Sequence, residues 1–484
     1  MNSQVLLERW STRTWLVLGS VYAGVIFGLC LLVGGTFFSP DSWLYYDLSK
    51  TFLTGDIYQT KNQFYYFSET HSATFPFGVP FLIAAVNSIA GDYPYTGQWL
   101  NALAAMWGLL LLVEIGRRVE MPDIAILLLF TTIFCSIPFI DEILSGRSIT
   151  IAIALWLAAL WAFLQKRTFS AGLALGLAAL CRFDFTIMGL LTIAGMQIIS
   201  RDKLVLRMAA GFILGKTTWI IYSLLNFGTF WVSVQSWVAL AAPLHFVVDF
   251  PPHARETLFT HPLQWTVRVL ESVYVIAANF IFDVQRMLVF VPLFVLILRS
   301  EKLILNKVEA LTFIMLWLLS FTGLAVSGFF LLGFADERYF LFNYFVLLLL
   351  ILIQFGHVPL VKKAALWLSG AKVLTLFVFV AGTVALNTDR HNQADDFTGK
   401  LRIVEQCHLQ NPSAMMIIEN ASLAAQYGAQ SGLPTRLIPS NWQTLDSATK
   451  QLFHARYNPL FFAPDALFLG ETLDCALLYS RLPD

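Results

Sequence analysis

The chain has 484 residues, of which 57% are hydrophobic and 13% charged, with 42 Phe and 14 Trp and a mean hydropathy of +0.68. A soluble chain lacks the polar surface to cover so much apolar side chain, so the expected solvent is lipid. Thirty-one basic and 31 acidic residues balance to a formal charge of zero, which excludes a global field for nucleic acid and leaves the placement of individual charges to carry the argument.

Arg9 and Arg13 precede an apolar run from Trp15 to Phe38 that is long enough to span and ends without a small-residue cleavage site. It is expected as an uncleaved first helix, followed by a long loop over 39–96. Further spans are expected near 97–116, 123–140, 148–165, 208–226, 272–298, 309–333, 339–356 and 364–386. The apolar stretch 170–199 is broken by Cys181-Arg182-Phe183-Asp184 and reads as two short helices in a hairpin. Arg9/Arg13, Arg117/Arg118, Lys166/Arg167, Arg201/Lys203/Arg207, Arg299/Lys302/Lys307 and Lys362/Lys363 all fall on one side when the spans are threaded in order. Positive charge in short loops marks the cytoplasmic side. The pattern therefore predicts about eleven crossings, with the amino terminus inside and the carboxyl terminus outside. The opposite loops, 39–96, 138–147, 227–271 and the Gly333 to Arg338 turn, carry most of the unusual chemistry and place function outside the cytoplasm.

After Leu386 the apolar residues shrink to short runs. Met415 to Ile418, Arg436 to Ile438 and Leu460 to Phe462 read as strands, and Ala421 to Gly432 and Leu445 to Ala455 as helices. The expected architecture is thus an all-α polytopic membrane domain over 1–386 and a small extracytoplasmic α/β domain over 387–484. That domain covers the outer cavity or touches the acceptor, with plain packing as the competing reading. The five cysteines show no CxxC pair. Cys30, Cys135 and Cys181 lie in apolar runs, which leaves Cys407 and Cys475 as the pair placed to form a disulfide.

The most informative segment follows the first span: Ser39-Pro40-Asp41-Ser42-Trp43-Leu44-Tyr45-Tyr46-Asp47, continuing to Leu53-Thr54-Gly55-Asp56-Ile57-Tyr58. A carboxylate where a helix leaves the bilayer is suited to take a proton from an attacking hydroxyl, and Asp41 is the first candidate base. The competing reading is that Pro40-Asp41-Ser42 starts an interfacial helix, with Asp41 stabilised by the helix dipole.

Asp41 with Tyr45, then Leu53-Thr54-Gly55-Asp56-Ile57-Tyr58, resembles the first outer loop of GT-C-fold glycosyltransferases, the superfamily of protein mannosyltransferases and lipid A aminoarabinose transferases. Thr74-Phe75-Pro76-Phe77-Gly78-Val79-Pro80-Phe81-Leu82 is similar to their Pro-rich stretch. Gly172 to Arg182 resembles their Gly-rich helix ending in a basic residue, and Glu337-Arg338-Tyr339 an Arg-Tyr that opens a late span. The resemblance is continuous over roughly the first 200 residues and patchy afterwards. It implies an inverting transfer of sugar from a polyprenyl-phosphate donor to a glycan, lipid or protein acceptor outside the membrane, with Asp41 as base or acceptor-orienting acid. It also implies no soluble nucleotide sugar. One departure is that aminoarabinose transferases carry a Lys just before the Pro-rich stretch, where this chain has Ala73-Thr74-Phe75 and His71 as the nearest cation candidate.

Asp141 and Glu142 occupy a position where the family often has a second functional acid; the alternative is an ion pair with Arg147. Holding a carrier phosphate calls for cations at the membrane boundary. Arg338 beside Tyr339 is the first candidate, with Tyr45 and His71 as further donor contacts. Arg286 is the second; its competing reading is an internal pair with Asp283 at helical spacing. His245, His253 and His261, eight residues apart and without organised acids, do not match a ligand pattern, so no metal or other cofactor is expected. Trp231 and Trp237 are assigned to the interface. The expected place is a bacterial inner membrane with the active site facing outward. A lipid-linked-sugar transporter or flippase is the main alternative, set against by the lack of paired halves; a noncatalytic assembly subunit is the third.

Overall fold

The computed structural model describes residues 10–33, 39–55, 75–200, 204–230, 261–264, 266–267, 341–355, 366–382, 415–418, 435–437, 447–448, 450–451 and 459–463. Among the described residues the architecture is helical up to residue 382. In chain order the helices are α1 (Thr12–Val33), α2 (Pro40–Thr54), α3 (Gly78–Ala90), α4 (Thr96–Arg118), α5 (Asp123–Phe134), α6 (Ile137–Leu144), α7 (Ile149–Leu164), α8 (Thr168–Cys181), α9 (Asp184–Ser200), α10 (Leu204–Phe227), α11 (Leu341–Phe355) and α12 (Leu366–Gly382).

Among the described residues three helices are long and apolar enough to cross a membrane: Thr12–Leu32, Thr96–Arg118 and Val205–Phe227. They are rich in Leu, Val, Ile, Ala and Phe, and in lipid each backbone polar group must find its partner within the helix. The expected pair of helices over 170–199 is observed as α8 and α9, which meet at Arg182 and Phe183.

The stretch 39–96, expected as an outer loop, contains the helices α2 and α3, the first starting at Pro40 as one reading of Pro40-Asp41-Ser42 has it. One expectation needs correction. The span predicted near 123–140 is broken: α5 and α6 meet at a 60° bend, because Ser136 takes an extended conformation and Pro138 stands in the first turn of α6, where its missing N–H cannot continue the α5 ladder. Asp141 and Glu142 therefore lie on a short helix with a buried face.

The tightest packing joins α8 to α10. A Cβ at Gly172 would stand 1.8 Å from the Met208 carbonyl oxygen, at Gly176 2.4 Å from that of Phe212, at Gly211 2.2 Å from that of Phe169, and at Gly215 2.7 Å from that of Leu173. These contacts advance together along both chains, so the two helices run parallel with backbones touching, each contributing a Gly-xxx-Gly face. With α4, α7 and α1 packed alongside, the core is continuous from Trp15 and Ile26 through Leu109, Phe134 and Phe139 to Trp156 and Phe342.

In the carboxyl-terminal part, β1 (Met415–Ile418), β2 (Thr435–Leu437) and β3 (Pro459–Ala463) form a parallel sheet in the order β2-β1-β3. The strands fall within one residue of the predicted runs. The helix expected over 421–432 and both cysteines, 407 and 475, lie outside the described residues.

Candidate active site

The sequence Ser39-Pro40-Asp41-Ser42 starts α2 as its chemistry dictates. Ser39 has extended backbone and accepts from the Ser42 N–H at 3.3 Å, the Ser42 hydroxyl reaches back to the Ser39 N–H at 3.2 Å, and Pro40 fills the first turn, where its missing donor costs nothing. Gly55, at φ 86°, ends the helix in a conformation that suits a residue without Cβ. Asp41 lies in this first turn, half-buried, where the helix dipole favours its charge.

The α6–α7 turn stands against this helix start. Arg147 donates from Nη1 to Glu142 Oε1 at 2.7 Å and to Asp141 Oδ2 at 3.3 Å, and from Nε to the Ser39 hydroxyl at 3.0 Å. Ser148 shares a hydrogen bond of 3.0 Å with the Tyr45 hydroxyl and accepts from Arg182 Nη1 at 3.4 Å. Arg182 in turn grips both Asp184 oxygens, Nε at 3.0 Å and 3.2 Å and Nη2 at 3.0 Å. Behind the turn, Asn101 donates to the Arg147 carbonyl at 2.6 Å, and Gln98 donates to that of Leu144. Gly146, at φ 72°, closes the turn, and its carbonyl would stand 3.1 Å from a Cβ at Gly97. The turn is thereby tied to the first two turns of α4.

Of the predicted residues, the structure brings Asp41, Tyr45, Asp141 and Glu142 to this one end of the bundle. Glu142 is fully buried and Asp141 is partly exposed. The ion pair with Arg147, which the sequence left as the alternative to a functional acid, is formed by both carboxylates. Tyr45 is buried with its hydroxyl engaged by Ser148. His71, Arg286, Arg338 and Tyr339 lie outside the described residues, as do Asp283, Trp231, Trp237, His245 and His253.

Ser148 and Lys216 went unmarked in the sequence reading, and Ser39 and Asp184 stood there within quoted segments without a role of their own. Lys216 is a buried cation in the middle of α10 whose Nζ donates to the Thr186 hydroxyl at 2.6 Å. An ionisable residue inside a predicted span is itself the signal that finds it. On the flank of the cluster, Tyr46 donates to both oxygens of Asp92 at 2.9 Å while Lys50 stands over its ring at 4.4 Å. Burial and then the Asp92 carboxylate push the Tyr46 phenol well above its ordinary value. Among the described residues no group of three or more His, Cys, Asp or Glu is arranged to hold a metal ion.

The arrangement can position a carboxylate, present a hydroxyl-rich wall, and hold charges apart from water at one end of the bundle. The basic residues Arg117, Arg118, Lys166 and Arg167 gather at the other end, where Arg117 bonds the Trp10 carbonyl and Thr12 and Arg118 bonds the Leu164 carbonyl.

No protein-family model matches the chain, and no curated protein is similar to it. Among solved structures, ArnT from Cupriavidus metallidurans bound to undecaprenyl phosphate matches with a TM-score of 0.50 at 12% identity, over 93% of this chain and 90% of that one. At this identity the likeness speaks to the fold: the chain has a GT-C-like fold.

Proposed function

We propose that this GT-C-like chain is a membrane glycosyltransferase that moves a sugar from a polyprenyl-phosphate carrier to an acceptor outside the membrane. The observation that supports it most is Asp41, set in the first turn of α2 at the polar end of the bundle, in a fold like that of a protein solved with undecaprenyl phosphate. In this reading Asp41 takes the proton of the acceptor hydroxyl. The hydroxyl oxygen attacks the anomeric carbon from one side as the bond to the carrier phosphate breaks on the other, and the electron pair leaves with the phosphate. One displacement inverts the anomeric centre. The carrier phosphate needs cations and no protonation, and the sequence assigns these to Arg338 with Tyr339, to Arg286 and to His71. Asp141, the more exposed of the paired acids, orients acceptor or sugar hydroxyls.

The same reading places the chain in a bacterial inner membrane with its amino terminus cytoplasmic. The basic residues at the end opposite Asp41 support that sidedness. Residues 387–484, which include the parallel sheet, form the outer domain that covers the cavity or touches the acceptor.

The test is transfer in membranes from a panel of radiolabelled polyprenyl-phosphate sugars, comparing the intact chain with an equally expressed Asp41→Asn variant. Transfer from one donor that disappears in the variant is the expected result, and the labelled product names the acceptor. No transfer from any donor sinks the enzyme reading in favour of a transporter or subunit. Transfer that survives the substitution moves the base to Asp141.

A further inference from the structure

We propose that Arg147 is a positioning residue: its guanidinium, braced by Glu142 and Asp141, holds the amino-terminal cap of α2 and thereby fixes the direction in which Asp41 presents its carboxylate. The inference rests on the glycosyl-transfer reading above. Ser39 is the cap of the helix that carries Asp41, and its hydroxyl meets the Ser42 N–H, the Ser42 hydroxyl at 2.8 Å and Arg147 Nε at 3.0 Å. Ser148, the residue after Arg147, gives the same turn a second hold on α2, its hydroxyl meeting that of Tyr45 at 3.0 Å, one helical turn beyond Asp41, beside the packing of α2 on α3 and the Tyr46–Asp92 bond.

Both contacts issue from consecutive residues of one turn, and that turn is tied to α4 through Asn101 and Gln98, each fully buried. Arg147 is suited to the task because its planar fork reaches a carboxylate from Nη1 and a hydroxyl from Nε at once; a lysine supplies the charge from a single point. Glu142, fully buried against Nη1 at 2.7 Å, sets the plane of the fork. Its part in the reaction is then exerted through Arg147 and α2 and not on the sugar.

The experiment measures two quantities on Arg147→Lys and Ser39→Ala in the full-length protein: steady-state transfer from the polyprenyl-phosphate sugar that the wild type uses, and hydrogen exchange of the peptide covering 39–46. Displacing a reacting group by ~1 Å costs on the order of a hundredfold. Arg147→Lys is expected to lower kcat by roughly ten- to a hundredfold with the donor KM held within about twofold. Ser39→Ala is expected to lose less, and the double variant no more than Arg147→Lys alone. Exchange over 39–46 is expected to quicken while α4 and α7 keep their protection.

A raised donor KM with kcat preserved would overturn the proposal and make Arg147 a donor contact. Additive losses in the double variant would overturn it as well, and so would unchanged exchange over 39–46, whatever the activity. Should the wild type transfer from no donor, the enzyme reading fails by itself; faster exchange over 39–46 then upholds the clasp on α2, and unchanged exchange rejects it. Ser39→Ala retains the whole ion pair and carries the same test if Arg147→Lys does not accumulate.

Discussion

Two carboxylate–arginine pairs stand at opposite ends of the bundle. Where α4 finishes, Arg117 meets Glu114 at 3.3 Å, one turn back on the same helix, with half of the Glu114 side chain exposed. Where α2 begins, Arg147 meets Glu142 at 2.7 Å, and Glu142 is 1% exposed. The first pair keeps its water and is worth little, since the attraction is screened and two long side chains must be held still. In the second Glu142 has lost its water, so its charge depends on Arg147 and on the hydrogen bonds around it. The same two residue types thus keep their water at one end and form a largely desolvated frame at the other, and it is the frame that stands beside Asp41.

The contrast breaks most readily at Asp41. A positioned general base contributes about 10²- to 10⁴-fold, so Asp41→Asn is expected to lower transfer by about that factor in membranes supplied with labelled donor. Melting in detergent should barely move, because a charge in the first turn of a helix contributes only about 0.3–1 kcal/mol. A variant that melts far below the wild type would instead make Asp41 part of the frame. Next in size is Glu142→Ala, which takes from Arg147 its buried partner and leaves it the partly exposed Asp141 at 3.3 Å, so the loss is expected above the about 0–1 kcal/mol of an exposed pair and up to the about 3–5 kcal/mol of a buried charge left alone. Thermal unfolding in detergent reads this directly, and a loss as small as that of an exposed pair would remove the distinction between the two ends.

Packing offers a third and smaller test. Gly172→Ala sets a methyl 1.8 Å from the Met208 carbonyl oxygen, whereas Gly24→Ala meets nothing within 4 Å. Overpacking costs about 1–3 kcal/mol, while an open helical position gains roughly 0.5–1 kcal/mol from the same change. Opposite signs in melting temperature are expected, and a shared sign would mean that α8 and α10 are not in backbone contact.

The helices were legible where one residue pattern decides the outcome. Trp15 onward, 97–116 and 208–226 are apolar runs that lipid permits only as helices, and the cap Ser39-Pro40-Asp41-Ser42 carries its own instruction. The strands at 415, 435 and 459 were legible for the same local reason, as short apolar runs bounded by polar segments. What escaped depends on partners distant in sequence. Nothing near Arg147 announces that its guanidinium ends against Ser39, 108 positions earlier, and nothing near Ser148 announces Tyr45 on one side and Arg182 on the other. The bend at Ser136 was written in Pro138, yet hydropathy averaged over the window hid it, and with it the burial of Glu142.

The smallest effect sharpens the contrast from its other side. Glu114→Gln removes the carboxylate from the exposed pair, and the expected loss is about 0–1 kcal/mol, shrinking further as salt is raised because the charges lie within reach of counterions. Transfer by this variant should match the wild type, since Glu114 stands at the end of α4 away from Asp41, beside the Arg117 that bonds Trp10 and Thr12. On the proposed orientation the basic side chains remain, and acidic residues contribute little to that choice, so the amino terminus should stay protected from protease in sealed inner-membrane vesicles of periplasmic sidedness. Melting measured at low and high salt, with transfer assayed in parallel, checks both parts. A salt-independent loss of several kcal/mol, or a fall in transfer with folding intact, would show that the basic end is coupled to the Asp41 end across the length of α4 and would overturn the contrast between the two pairs.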